Sequence, residues 1–249
     1  MSFSTLTPLS LTEFESYLGS VSVWCGTPRA TCAHHTWSPT SAQWRGLSSM
    51  RAIRSYHMNE RGFSDIAANF YVGSEGLIWT ARPLDRTNWA HAYVEKDWSN
   101  VHLSAKAFAA GNRQALNSYA VGIEIVGNFD SEDPVTTPSM ALAIKAFAVM
   151  HRVWSLPLES LLFFHRMVAD KSCPGSRVTL DWFRGRVAAE MGVPAPTPGA
   201  VRIIAPNGDV IECAARLEDG RTVARLAPVF ATLHIPYTWV PPGTLKIGA

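Results

Sequence analysis

No apolar run in the chain approaches the ~20 residues that a membrane-crossing helix needs, which argues against membrane insertion. Met1 to Pro8 lacks the basic start of an export signal, and the Leu9 to Gly19 segment is amphipathic, carrying Glu13 and Glu15. The expectation is therefore synthesis in the cytoplasm without a signal peptide. Cysteine is scarce: 4 in 249 residues, at positions 25, 32, 173 and 213, with no CxxC spacing and no density for a disulfide framework. Cys32 and Cys213 read as small core residues, and the spacing leaves a Cys25–Cys32 bridge open. A net charge of +2 is too small to argue for nucleic acid, though it is compatible with an anionic cell wall. There is no G-x-S-x-G, so a serine nucleophile has little behind it. No repeat period is present. What remains is 47% hydrophobic and 17% charged, enough for a proper core and for one large domain, or one plus a small one.

Two stretches carry chemistry. Cys32-Ala33-His34-His35-Thr36 lies near the start, and His165-Arg166-Met167-Val168-Ala169-Asp170-Lys171-Ser172-Cys173-Pro174-Gly175 lies far downstream. Two histidines, a cysteine and a lysine fit a catalytic zinc site with three protein ligands and one open position. Ala30 to Thr36 reads as a short strand, whose neighbouring side chains face opposite ways, so only one of the adjacent histidines can face a metal. Spacing does not decide which one. A third stretch, Val121 to Val126, is an apolar run interrupted by Glu124. In a central strand covered on both faces that carboxylate is costly unless a metal, a lysine or water compensates it.

These residues resemble the zinc-dependent N-acetylmuramoyl-L-alanine amidases, the family of phage lysins, muropeptide-recycling amidases and peptidoglycan recognition proteins. The resemblance covers roughly residues 25 to 190 and includes Asp65 to Gly73, Glu75-Gly76 and Val121 to Phe129. It implies zinc held by His34, His165 and Cys173, with Lys171 as the catalytic lysine. Trp37, His91 and Asn69 are the implied substrate-binding residues, and Trp89 reads mostly as core. Many lysins and recognition proteins carry a tyrosine where this chain has Ala68. Recycling-type amidases instead use a glutamate in the Ile-Gly-Ile-Glu strand, here Glu124. The implied reaction is hydrolysis of the amide between N-acetylmuramic acid and L-alanine, with Glu124 moving the proton and Lys171 facing the oxyanion while keeping Cys173 a thiolate. The expected partner is peptidoglycan or a muropeptide. The favoured role is a phage or prophage endolysin freed by holin-type release. The alternatives are a recycling amidase that stays cytoplasmic and a non-catalytic peptidoglycan receptor.

Punctuation sets the layout. Thr12-x-x-Glu15 reads as a capping box opening a helix to Gly19, and Ser49 to Glu60 as a helix with Met50, Ile53 and His57 on one face. Phe70–Val72 and Leu77–Thr80 form a hairpin, Thr137 caps a helix that has Pro138 at its first position and runs to about Trp154, and Leu180 to Met191 is the last. Strands alternating with helices predict an α/β fold, a mixed central sheet with helices on both faces. The zinc amidase domain is expected over 1–192. Residues 193–199 form a proline-rich linker, and 200–249 a small α+β module, read as cell-wall binding. That module has a hairpin around Pro206 to Asp209 and a short helix at Leu226 to Leu233, and it resembles the small units similar to the N-terminal domain of copper amine oxidases.

Overall fold

The computed structural model describes residues 5–23, 28, 30–91, 117, 120–158 and 162–192, together with five strands beyond residue 199. The chain divides into two compact units, Met1–Val193 and Pro194–Ala249. The expected linker 193–199, the Pro206–Asp209 turn, the Leu226–Leu233 helix and Cys25 lie outside the described residues.

The first unit runs β1 (Pro8–Leu9), α1 (Leu11–Ser20), β2 (Ala30–His35), α2 (Leu47–Asn59), β3 (Phe70–Val72), β4 (Ile78–Thr80), β5 (Ala120–Ile125), α3 (Pro138–Val153), β6 (Leu162–Phe164) and α4 (Leu180–Glu190). Its six strands make one mixed sheet in the order β1-β4-β3-β5-β2-β6. The β1–β4 and β4–β3 pairs are antiparallel, and β3–β5, β5–β2 and β2–β6 are parallel. The second unit holds β7 (Ala200–Ile204), β8 (Val210–Glu218) and β9 (Arg221–Ala224) in an antiparallel sheet, and β10 (Tyr237–Val240) paired with β11 (Thr244–Ile247).

The period of two along each strand divides the packing of the first unit between the two faces of the sheet. Val121, Ile123 and Ile125 of β5 join Phe70, Val72, Leu162 and Phe164 against α1, α3 and α4, through Phe14, Phe147 and Phe183. On the opposite face Tyr71, Trp79 and Val126 pack with Met50 of α2. Helices thus cover both faces, as the alternation predicted.

Helix starts differ from the expectation where tertiary pairing intervenes. The first capping box is Ser10-x-x-Glu13, not Thr12-x-x-Glu15: Ser10 Oγ accepts from Glu13 N at 3.3 Å and Glu13 Oε2 accepts from Ser10 N at 2.8 Å. Pro8 and Leu9 are held in the sheet by β4, so Ser10 is the first residue free to turn. Thr137 donates to the Asp133 carbonyl at 2.6 Å instead of capping α3, whose start rests on Pro138.

Candidate functional site

The site grows out of strand register. β2, β5 and β3 run parallel with His34 opposite Glu124 and Glu124 opposite Tyr71. Residues at one level on adjacent strands share a face, so these three side chains form a lateral row on the α2 side. β6 ends with Phe164 opposite Ala33, and the next residue, His165, falls beside His34, with ring centroids 4.4 Å apart. His35 turns the other way. Its Nδ1 accepts from Phe129 N at 3.2 Å, and its own backbone N–H donates to Cys173 Sγ at 3.3 Å.

One ligand atom each from His34, His165 and Cys173 lies within 4.8 Å of the other two, and all three residues are buried. His34 Nδ1 is 3.7 Å from Cys173 Sγ and 3.9 Å from Glu124 Oε1. Two imidazoles and one sulfur suit a tetrahedral zinc with one position left open. Burial drives the His34 and His165 pKa values well below the ordinary range, so both rings are neutral and offer lone pairs. The donor set therefore fits the metal. Burial also pushes the Cys173 thiol well above its usual range, ahead of Lys171 and the His35 N–H, which act the other way. Without a metal, burial therefore outweighs the help expected from Lys171, and a bound metal would favour loss of that proton. Cys32 is a free, buried thiol.

Glu124 is raised to about 8 because burial outweighs the nearby Lys171. Its side chain keeps 16% exposure and, with Lys171, lines an open groove of about 1080 Å³. Ile53, Tyr56 and His57 of α2 line it too, as does Trp37. Trp37 is 60% exposed and holds a left-handed backbone, φ 57°, a strained state for a bulky side chain.

Two expected substrate contacts are placed elsewhere. His91 is completely buried beneath His34, its Nδ1 2.9 Å from His34 Nε2 and its Nε2 3.1 Å from the Ala120 carbonyl. A metal on Nδ1 of His34 would leave the proton on Nε2, to be donated to His91, an orienting role common behind metal-bound histidines. Gly122 makes room for this, since a Cβ there would come within 2.7 Å of His91 Cε1. Asn69 is also fully buried: Oδ1 accepts from Gly122 N at 3.2 Å and Nδ2 donates to the Arg82 carbonyl at 3.2 Å. Both shape the floor and do not stand in the groove. Conversely Trp89, expected in the core, lines the groove against Phe63 at 5.8 Å.

Sequence reasoning missed Tyr71 and His57. Tyr71 lines the groove with a buried hydroxyl that has no hydrogen-bond partner among the described residues, and burial, with the Glu124 charge nearby, raises the phenol well above its usual range. The available signal for His57 was its place four residues after Ile53 on one face of α2.

The family profile for Amidase_2, N-acetylmuramoyl-L-alanine amidase, matches residues 25–176. Peptidoglycan-recognition protein LB of Drosophila melanogaster is 29% identical over 148 residues, 58% of this chain and 53% of that protein. The N-acetylmuramoyl-L-alanine amidase of Homo sapiens is 26% identical over 145 residues, 57% of this chain and 21% of that one. Peptidoglycan-recognition protein SC1a of Drosophila melanogaster is 25% identical over 150 residues, 58% of this chain and 66% of that protein. The alignments thus span less than two thirds of these curated relatives. A solved structure of wild-type Drosophila recognition protein LB superimposes with a TM-score of 0.47 at 21% identity, covering 76% of this chain and 96% of that one. The matched stretch runs from before β2 to just past the Cys-Pro-Gly turn and takes in every strand and loop that lends a donor to the buried cluster; the chain belongs to the N-acetylmuramoyl-L-alanine amidase family.

Proposed function

We propose that the chain is a zinc amidase that hydrolyses the amide between N-acetylmuramic acid and L-alanine in peptidoglycan. The observation that carries this reading is the complete donor set His34, His165 and Cys173 lying in the same row as a groove-lining carboxylate, Glu124. A receptor needs the groove but has no use for a buried two-imidazole, one-thiol cluster beside a base.

When bound, zinc acidifies a water and polarises the scissile carbonyl. Glu124 is placed to accept the attacking water's proton at its carboxylate and return it to the departing amine. Its raised pKa in the metal-free protein suits the second step, and a cation beside it favours the ionised form needed for the first. Lys171 faces the same groove and offers its charge to the developing oxyanion. Trp37 at the rim supplies an aromatic face against which a sugar ring can stack.

The test is incubation of the protein with intact sacculi and with soluble anhydro-muropeptide, with and without chelation. Mass spectrometry should find free L-alanyl peptides that vanish when the metal is stripped. Full activity after exhaustive chelation would overturn the mechanism. The same experiment separates an endolysin, which cleaves sacculi, from a recycling enzyme, which cleaves the soluble fragment. A chain ending at Pro198 sharpens the distinction, because all proposed catalytic groups belong to the first unit. If the second unit tethers the enzyme to the wall, activity on sacculi should fall well below activity on the soluble substrate. Binding without cleavage in the metal-loaded protein would favour a recognition role, the one named for several relatives.

A further inference from the structure

Cys173 sits in a turn that is gripped from outside by a residue the chemistry above does not use. Asp130, in the loop after β5, accepts from Ser172 Oγ through Oδ2 at 2.7 Å and from Ser176 N through Oδ1 at 2.7 Å. One carboxylate therefore brackets Cys173-Pro174-Gly175. Beside it Arg177 N donates to the Phe129 carbonyl at 3.1 Å, and Gly175, at φ 113°, lies so close to Phe129 that a Cβ would come within 2.5 Å of its backbone. From the inner side Arg166 donates to the Gly175 carbonyl at 2.9 Å and to the Val178 carbonyl at 2.6 Å. Desolvation disfavours ionised Asp130, but the hydrogen bonds from Ser172 and Ser176 outweigh it and hold the carboxyl below its usual range.

We propose that Asp130 is a positioning residue for the metal centre: by bracketing the Cys-Pro-Gly turn it sets the Cys173 sulfur at its place opposite His34 and His165 before metal arrives. The proposal rests on the zinc reading above. Its physical basis is preorganisation. His34 and His165 are fixed by β2 and by the end of β6, whereas Cys173 lies outside any strand or helix and takes its position from the bonds its neighbours make. Partners that orient ligands are typically worth roughly 10- to 100-fold in metal affinity.

The test measures zinc affinity by competition with a chromophoric chelator, together with the melting temperature of the metal-free protein. Asp130→Ala should weaken zinc binding roughly 10- to 100-fold while the metal-free melting temperature stays near the wild-type value. Asp130→Asn should recover most of the affinity, because an amide can still accept from Ser176 N and donate to Ser172 Oγ. Ser172→Ala, which removes one bond of the pair, should give a smaller loss, and it stands in if Asp130→Ala fails to fold. Unchanged affinity in Asp130→Ala and Ser172→Ala overturns the proposal, as does a loss that only follows a lowered metal-free melting temperature. A wild-type protein that binds no zinc overturns the metalloenzyme reading as well. Wild-type binding with indifferent variants overturns this inference alone.

Discussion

Alternate residues of β5 live under opposite rules. Val121, Ile123 and Ile125 face Phe147 and Phe183 in a core where the buried polar pair is satisfied, Thr31 Oγ1 lying 2.7 Å from His151 Nε2, while Gly122 and Glu124 face a histidine and a groove. The first face accumulates free energy from burial, about 1.5–3 kcal/mol per large apolar side chain. The second gives some of it up: it buries Glu124 level with His34 and Tyr71, and leaves the Tyr71 hydroxyl unpaired among the described residues. A mixed sheet covered on both faces lets one side supply the stability that the other spends on chemistry. That division can be tested by changing each face separately.

The largest contrast is between a ligand and a core residue. His165→Ala or Cys173→Ser should abolish both stoichiometric zinc and activity while the fold persists, read by metal analysis and circular dichroism. Phe147→Ala, on the other face, should cost about 3–5 kcal/mol in denaturant unfolding yet leave zinc per folded molecule unchanged. Loss of metal in Phe147→Ala molecules that remain folded would break the division.

Next comes Glu124→Gln, which keeps shape and removes the base. Turnover should fall roughly 10²- to 10⁴-fold with zinc retained. In the metal-free protein the Glu124 carboxyl lies at about 8, above its unfolded value, so its contribution to stability is present at low pH and is lost as pH rises toward and through 8. The variant should therefore lose less stability than wild type between pH 5 and pH 8. Parallel stability curves would show that Glu124 is not a buried acid.

A smaller effect concerns acid. Burial lowers His35, His57 and His91 to about 4. Each contributes stability that is present above the unfolded value near 6.5 and lost as pH falls toward 4. The melting temperature of the metal-free protein should drop across that window, and His57→Gln should lessen the drop. An unchanged drop in that variant would take His57 out of the account.

The smallest effect is Tyr71→Phe, which removes a buried hydroxyl with no partner and should leave stability equal or higher by up to about 1 kcal/mol. A loss above that in urea unfolding would reveal a bond to the phenol.

The candidate donors were legible in sequence because His-His-Thr and His-x7-Cys-Pro-Gly compress chemistry into short motifs, and the structure brings them together. The alternation of strands and helices was legible too, since periodicity is local. What stayed hidden depended on register between distant strands. Nothing near Phe70 announces that Tyr71 lies level with Glu124, some 50 residues on. His91 and Asn69 were assigned to substrate because a motif says that a residue matters without saying on which side of the sheet floor it sits. Asp130 escaped notice because its partners, Ser172 and Ser176, are generic residues 42 and 46 positions away. The first capping box slipped because two equivalent patterns, Ser10-x-x-Glu13 and Thr12-x-x-Glu15, overlap, and only the pairing of β1 selects between them.

The 139 positions between His34 and Cys173 also have a consequence in time. At the pace of synthesis the ribosome needs roughly 7–28 s to travel from one to the other. Until His165 and Cys173 emerge, the donors that lie with His34 are Cys32 and His91, a second group whose ligand atoms fall within 4.8 Å of one another. The proposed set of His34, His165 and Cys173 is complete only when the last strand of the sheet and the turn after it have emerged. A zinc ion held there would tie an early strand to a late turn across those 139 positions.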